Sequence, residues 1–259
     1  MKSSIVKAYE ANEFNQVLDE ILHPGGLELT KKTAESAGIQ NGDLVLDIAS
    51  GRGSSACFIS DVFDCRVIGT DLSLESSSLA RKKAQKLPLS NKAEFCLADA
   101  ESLPFADSVF DAVITECAFS LFPDKTTVAR EIIRVLKPGG KFSMSDVILN
   151  HPLISDLKDE VLFNCCFTGA LTKDGYIEVF SKAGLEYDLF EDHSIELKKI
   201  ALRLISGYGS LNDFWKQFAG RSISCCSTVK NGTDPQIEWK RLFAESKPGY
   251  AVFSFRKPL

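Results

Sequence analysis

Short apolar segments alternate with longer helical segments between residues 43 and 149, and this alternation constrains the fold of the chain most strongly. Five apolar segments end in polar or glycine-rich turns: residues 43–50, 66–73, 93–105, 110–122 and 141–149. Segments of ten or more residues with apolar positions at helical spacing separate most of them. This order predicts an α/β fold, a doubly wound and mostly parallel sheet with helices on both faces.

Two further strands complete the predicted sheet. Residues 186–194, EYDLFEDHS, and the alternating stretch YAVFSFRK at 250–257 are expected to lie side by side, which makes seven strands. We therefore predict a single domain over residues 1–259. It consists of an N-terminal helical lid (1–37), a core (38–190 and 248–259) and a helical insertion before the last strand (191–247).

Composition excludes several classes of partner. The formal net charge is −5 and no basic stripe stands out, so we expect no nucleic-acid partner. No run of about 18 apolar residues occurs, so we expect no membrane span. The first residues, MKSSIVKAYEANEF, lack the apolar centre of a signal peptide. The expected location is therefore cytoplasmic, where thiols stay reduced. The oligomeric state does not follow from the sequence.

A glycine turn follows the first apolar segment. Gly51, Gly53 and Ala56 fit the spacing G-x-G-x-x-G/A, and Asp71 ends the next strand twenty residues after Gly51. Glycines let the backbone approach a ligand, and an acid at that strand end accepts hydrogen bonds from ribose hydroxyls. The pattern fits a nicotinamide dinucleotide as well as S-adenosylmethionine (SAM).

Two further acids favour SAM. Asp47 lies four residues before Gly51, where a carboxylate repels a pyrophosphate but suits the ammonium or sulfonium charge of SAM. Asp99 follows the third strand, where an acid can accept a hydrogen bond from an adenine amino group. We expect SAM as the cofactor, and a dinucleotide or an inactive fold is the alternative.

Three segments, VLDIASGRG, FDAVITECAFSLF and EIIRVLKPGGKF, resemble class I SAM-dependent methyltransferases over about residues 25–150. The resemblance implies their Rossmann-like fold, SAM as cofactor and a small-molecule acceptor. Ala49 is a departure, because that family usually has Gly there. The cofactor-binding residues implied by the resemblance are Asp47, Ala49, Ser50, Gly51, Gly53, Asp71, Leu72, Asp99, Ala100 and Glu116.

The stretch ECAFSLFPDKTTVAREIIRVLKPGGKFSMSDVI is similar to the matching stretch of arsenite methyltransferases. Glu116 and Ser120 depart from that family, which usually has Asn at both positions. CFTGAL, residues 166–171, resembles the family's second cysteine motif, and SCCS, residues 224–227, falls where its third cysteine lies. Cys57 stands one position later than the family's first cysteine, which weakens the match to a site of three thiolates.

The resemblance implies that cysteines hold the acceptor. Trivalent arsenic is soft and prefers thiolate ligands, and its lone pair can attack the SAM methyl in line without a general base. Neighbouring residues point in different directions, so one cysteine of each adjacent pair is expected to face the cofactor. We select Cys166 in the first pair, and either Cys225 or Cys226 in the second.

The other cysteines have a structural interpretation. Cys57, Cys65, Cys96 and Cys165 are expected to be buried small apolar residues, and Cys117 is expected to line the pocket. Two further functions remain open. One is methyl transfer to a carbon or oxygen of a small organic acceptor of the quinone or sterol type. The other is SAM binding for regulation without turnover, because a fold does not establish an activity.

Overall fold

A computed structural model describes residues 2–10, 23–87, 92–153, 166–211, 213–214 and 235–259. One β-sheet forms its centre. The strands are β1 (Leu44–Ile48), β2 (Arg66–Asp71), β3 (Ala93–Leu97), β4 (Phe110–Glu116), β5 (Leu136–Leu149), β6 (Leu171–Thr172), β7 (Glu186–Asp192) and β8 (Pro248–Arg256).

Helices flank the sheet and extend beyond one of its edges. They are α1 (Lys2–Glu10), α2 (Gly26–Ser36), α3 (Ser54–Val62), α4 (Leu74–Lys86), α5 (Lys125–Val135), α6 (Lys173–Ala183), α7 (Ser194–Tyr208) and α8 (Pro235–Glu245). A single 3₁₀ turn, Phe119–Leu121, follows β4.

Seven strands follow the order β3-β2-β1-β4-β5-β8-β7, and the two-residue β6 pairs with β5 beside this path. The pairs among β1 to β5 are parallel, whereas β8 runs antiparallel to both of its neighbours. The predicted doubly wound, mostly parallel sheet is therefore confirmed. The last strand lies beside β7, as the alternation of residues 250–257 predicts.

Helices cover both faces of the sheet because each turns an apolar stripe toward it. On one face α2, α3 and α4 bury apolar side chains, among them Ala34, Ile59 and Ala80. On the other face α5 and α6 bury apolar side chains that include Ile132 and Phe180. These two cores hold the strands rigidly and fix where each strand ends.

A third apolar cluster lies at the carboxyl end of β5. Helices α1, α7 and α8 contribute Tyr9, Leu204 and Leu242 to it, and the segment after β4 contributes Leu121. Ligands of open α/β sheets bind along the edge formed by the carboxyl ends of the strands. The cluster therefore brings helices from both ends of the chain to the edge where the site is expected.

Strand β5 begins at Leu136, five residues before the strand predicted from the sequence. Leu136 pairs with Phe110, and the register then shifts so that Lys141 pairs with Ala112. The Pro-Gly-Gly turn that ends α5 thus forms a bulge within the strand. A Cβ atom on Gly140 would lie 2.8 Å from the carbonyl oxygen of Asp111, so the bulge requires glycine there.

Of the helices in the described ranges, none has both the length and the hydropathy needed to cross a bilayer. Residues 11–22 of the predicted lid and 215–234 of the predicted insertion lie outside the described residues. The boundaries of the lid and the insertion therefore stay predictions.

Candidate active site

A cavity of about 170 Å³ opens at the carboxyl edge of β1, β2 and β4. Its wall combines residues from six parts of the chain. They are Lys2, Ile5, Val6, Tyr9, His23, Asp47 to Arg52, Ser54, Ser55, Thr70 to Ser73, Ser76, Ala98 to Glu101, Glu116 to Ala118, and Leu121 to Pro123. Nine of the ten predicted cofactor residues lie in this wall.

The glycine turn forms the part of the wall above β1. Gly51 has a φ of 52°. A Cβ atom built on it would meet nothing within 4 Å, so a ligand can approach the backbone there. The Gly51 N–H donates to Asp71 Oδ2 at 2.9 Å, which ties the turn to the end of β2. Ala49, where the resembled family has Gly, adopts a left-handed φ of 60°.

Gly53 is the one predicted cofactor residue outside the cavity wall. Its φ is 77°, and an added Cβ atom would lie 2.6 Å from Phe95 Cζ and 2.9 Å from Ala80 Cβ. Close packing of α3 against α4 and β3 therefore explains this glycine. Its predicted role in cofactor binding stays a prediction.

Two buried carboxylates in the wall each have an oxygen without a hydrogen-bond partner. These oxygens are Asp47 Oδ2 and Glu116 Oε1. Burial, and after it the carboxylates of Glu116 and Asp71, raises the pKa of Asp47 well above its ordinary value. A buried acceptor without a partner is costly, and a cationic ligand removes that cost. The ammonium and sulfonium groups of SAM supply such charges, so these residues fit that cofactor.

Asp71 is fixed by the backbone on both carboxylate oxygens. It accepts hydrogen bonds from Gly51 N at 2.9 Å and from Ser73 N at 2.8 Å. Burial raises the pKa of Asp71 in spite of these bonds. Each oxygen keeps a lone pair, so the carboxylate can still accept ribose hydroxyls from a ligand in the cavity.

Asp99 is already paired with helix α1. Lys2 Nζ donates to Asp99 Oδ2 at 2.7 Å and to Glu101 Oε2 at 2.6 Å. Burial acts to raise the pKa of Asp99, but bonds from Lys2 and from Glu101 N outweigh it, and the pKa lies below its ordinary value. An adenine amino group at Asp99 would share this carboxylate with Lys2. Sequence reasoning missed Lys2, because 97 residues separate it from Asp99.

His23 is a second cavity residue that sequence reasoning did not assign. It precedes α2 in the segment HPGG, which reads as a helix break. His23 Nε2 lies 3.3 Å from Glu116 Oε2, 3.2 Å from Thr30 Oγ1 and 3.3 Å from Ser55 Oγ. The only sequence signal for this cluster is the acid at position 116, where the resembled family has Asn.

Two cysteines meet beside the cavity. Cys117 lines it, and Cys166 lies behind Cys117 with 2% of its surface exposed. Their sulfurs are 3.8 Å apart, and the hydroxyl of Tyr9 lies 3.5 Å from Cys166 Sγ. A hydrogen bond to Cys166, together with burial, raises the pKa of the Cys117 thiol well above its ordinary value. The structure thus brings the predicted Cys166 to the cavity wall through Cys117.

Both thiols sit on unusual backbone. Cys117 has a φ of 51° and Cys166 a φ of 68°, in the left-handed region that L residues rarely adopt. Such strained positions cluster at functional sites.

The remaining cysteines differ in burial. Cys57 and Cys65 are buried as predicted, with 4% and 1% of their surfaces exposed. The prediction of burial is wrong for Cys96, which is partly exposed on β3. Cys165, Cys225 and Cys226 lie outside the described residues. Within the described ranges, no group of three or more His, Cys, Asp or Glu side chains could hold a metal ion.

Comparison with known proteins identifies the chain's relatives. A methyltransferase domain family matches residues 39–184. An arsenite methyltransferase from Halobacterium salinarum is 36% identical over 154 residues, and the match covers 58% of this chain but only 39% of that protein. A 27-O-demethylrifamycin SV methyltransferase from Amycolatopsis mediterranei is 31% identical over 211 residues, covering 74% of this chain and 77% of that protein.

A solved structure shares the fold. A Haemonchus contortus phosphoethanolamine N-methyltransferase 2, in complex with phosphomonomethylethanolamine and S-adenosylhomocysteine, superposes with a TM-score of 0.75 at 19% identity. The match covers 100% of this chain and 60% of that chain. At this identity the similarity shows the fold alone.

Proposed function

Because this chain belongs to the methyltransferase domain family, whose cofactor is SAM, we propose that it transfers a methyl group to a small, soft acceptor held at Cys117 and Cys166. The acceptor class we favour is a thiol-bound trivalent metalloid such as arsenic. The observation that carries this proposal is the 3.8 Å distance between Cys117 Sγ, in the cavity wall, and Cys166 Sγ behind it.

The cofactor half of the proposal is supported by the charges in the wall. Bound SAM supplies a methyl carbon on a sulfonium sulfur, which leaves as a neutral thioether. Asp47 and Glu116 offer unpaired carboxylate oxygens to the positive end of this ligand. Asp71, held by Gly51 and Ser73, lies at the end of β2 where ribose hydroxyls are expected.

The acceptor half is supported by the spacing of the two sulfurs. Soft atoms bind thiolates with bonds of about 2.3 Å, as zinc does. Two bonds of that length span the 3.8 Å between Cys117 Sγ and Cys166 Sγ at an angle of about 110°. A single metalloid atom therefore fits between them without a large movement of either side chain.

The high pKa of Cys117 does not oppose this binding. When a thiol replaces a hydroxide ligand on As(OH)₃, a sulfur–arsenic bond forms, an arsenic–oxygen bond breaks, and the thiol proton leaves with the hydroxide as water. No separate base is required. The arsenic lone pair then forms the bond to the methyl carbon while the sulfonium–carbon bond breaks, so the protein contributes positioning and exclusion of water.

A turnover assay with matched variants tests the proposal. Purified protein, SAM, arsenite and a small thiol should yield S-adenosylhomocysteine. Cys117→Ser and Cys166→Ser should lower that rate by about 100-fold or more, because a hydroxyl does not replace a soft ligand. The affinity for SAM should stay within about twofold, since these residues hold the acceptor alone. Cys96→Ser, on β3 and outside the cavity wall, is the control and should keep wild-type turnover.

One observation favours the second candidate, methyl transfer to an organic acceptor. The cavity wall on the side of α1 and the 3₁₀ turn is apolar, with Ile5, Val6, Leu121 and Phe122. The rifamycin relative is named for an organic acceptor. Equal arsenite turnover in wild type and both cysteine variants would contradict the metalloid proposal. Turnover of apolar hydroxylated acceptors by all of these proteins would then support the second candidate.

A further inference from the structure

We propose that His23 is a positioning residue: its imidazolium pairs with Glu116 and fixes that carboxylate for the cationic end of the cofactor. This inference rests on the cofactor half of the proposed function and adds a residue to it. The pair of His23 and Glu116, called the dyad here, joins a loop at the start of α2 to the end of β4, so that neither element alone provides the site.

The dyad of His23 and Glu116 is almost fully buried. The two side chains are 7% and 4% exposed, and Nε2 lies 3.3 Å from Oε2. A charged group at this depth is costly unless it is paired and hydrogen-bonded. Glu116 nevertheless keeps Oε1 without a partner in the cavity wall. His23 and Thr30 therefore hold the Glu116 carboxylate at Oε2, and Oε1 is left to accept a ligand.

The contacts of the two ring nitrogens bear on the charge of His23. His23 Nδ1 lies 3.1 Å from the carbonyl oxygen of Pro24. A carbonyl oxygen only accepts, so Nδ1 must carry a hydrogen for this contact to be favourable.

The second nitrogen faces the Glu116 carboxylate. Nε2 lies 3.3 Å from Oε2, and Thr30 Oγ1 donates to the same oxygen at 3.1 Å. The hydroxyls of Thr30 and Ser55, 3.2 Å and 3.3 Å from Nε2, can each accept a hydrogen bond from it. A carboxylate only accepts, so the pairing of Nε2 with Oε2 requires a hydrogen on Nε2. With hydrogens on both nitrogens the ring is the proposed imidazolium.

A positive charge on His23 would reduce the repulsion among the surrounding carboxylates. Asp47 on β1 and Asp71 on β2 are the described carboxylates that act on the same region as Glu116, and like charges in a buried site repel one another. An imidazolium at His23 offsets one of these charges and pairs with the Glu116 carboxylate. Position 116 is also where the resembled arsenite methyltransferases have a neutral Asn. A carboxylate in place of that amide requires a neighbouring cation, and His23 supplies it.

The first test is His23→Gln, which keeps a donor near Nε2 and removes the charge. Loss of a charge-assisted bond to the group that receives the ligand should weaken SAM binding about tenfold. Isothermal titration calorimetry measures this change in affinity. His193→Gln removes the other described pair of this kind, His193 with Glu191, outside the cavity wall, and should leave SAM affinity unchanged.

A double-mutant cycle shows whether His23 acts through Glu116. In a Glu116→Gln background, His23→Gln should have no further effect on SAM affinity. An equal loss in both backgrounds would overturn the proposal, as would wild-type affinity in His23→Gln. Nitrogen-15 NMR of the wild-type ring requires no variant: two protonated nitrogens support the proposal, and a neutral ring contradicts it. A wild-type protein that does not bind SAM would instead refute the proposed function.

Discussion

Asp146 shows how a single buried residue supports the wall of the cavity. Its side chain is fully buried and accepts hydrogen bonds from Ser120 N at 2.9 Å, Ser120 Oγ at 2.8 Å and Val147 N at 2.7 Å. These bonds hold the 3₁₀ turn that carries Leu121 and Phe122 into the cavity wall. Burial nevertheless outweighs them and raises the pKa of Asp146 to about 6.

This pKa predicts a pH dependence of stability. The folded state holds the Asp146 proton more tightly than the unfolded chain, whose carboxyl has a pKa of about 3.9. Ionising this group between pH 4.5 and pH 7 therefore lowers the free energy of unfolding by about 2 kcal/mol. Asp146→Asn lacks this term, so the advantage of wild type over the variant should shrink by that amount across the window. Urea unfolding at pH 4.5 and pH 7 measures it, and a constant difference would contradict the assignment.

Helix α1 acts as one element across the cavity. Lys2, Ile5, Val6 and Tyr9 line the wall, and Glu10 at its other end accepts a hydrogen bond from Ser73 Oγ at 2.6 Å. The ion pairs of Lys2 are about one-third exposed, so each contributes only about 0.2–1 kcal/mol. The helix is thus fastened by weak polar contacts at both ends and by apolar packing between them.

We expect Lys2→Ala to speed the release of SAM. Losing both ion pairs, about 0.4–2 kcal/mol together, should raise the dissociation rate by about 2- to 30-fold at low salt, and the effect should fade at high salt because exposed charges are screened. Lys7→Ala, an exposed lysine on the same helix, is the control. Stopped-flow displacement by excess S-adenosylhomocysteine measures the rates. Equal rates for the two variants at low salt would show that Lys2 does not fasten the helix.

At the scale of the whole molecule, binding of the cofactor should raise the melting temperature. A ligand at 100 times its Kd adds about 2.7 kcal/mol to the free energy of unfolding. For a chain of this size 1 kcal/mol moves Tm by about 2–4 °C, so SAM should raise Tm by roughly 5–10 °C. NAD should leave Tm unchanged, because Asp47 opposes a pyrophosphate at the glycine turn. Scanning calorimetry measures Tm with each ligand. A rise in Tm with NAD but not with SAM would reverse the cofactor assignment.

The sequence predicts the sheet and the cofactor edge because both follow from local patterns. Apolar runs identify the strands, and parallel pairing brings Asp47, Asp71 and Glu116 to the same edge. The partners of these acids were not predictable. Contact between Cys117 and Cys166 depends on left-handed backbone at both residues, and contact between His23 and Glu116 depends on a turn at a distant helix start. Pairs so far apart in sequence leave no periodic signal.

The position of β8 has a consequence for synthesis of the protein in the cell. A ribosome releases the chain from its N-terminus, so β1 to β5 can pair while residues 248–256 are still being added. Within the described sheet β7 pairs with β8 alone, and β5 has β8 along most of its outer side. Until β8 emerges, β5 and β7 both expose open strand edges, which are templates for pairing with other chains. Nascent chains stalled before residue 248 are therefore expected to recruit chaperones or to aggregate.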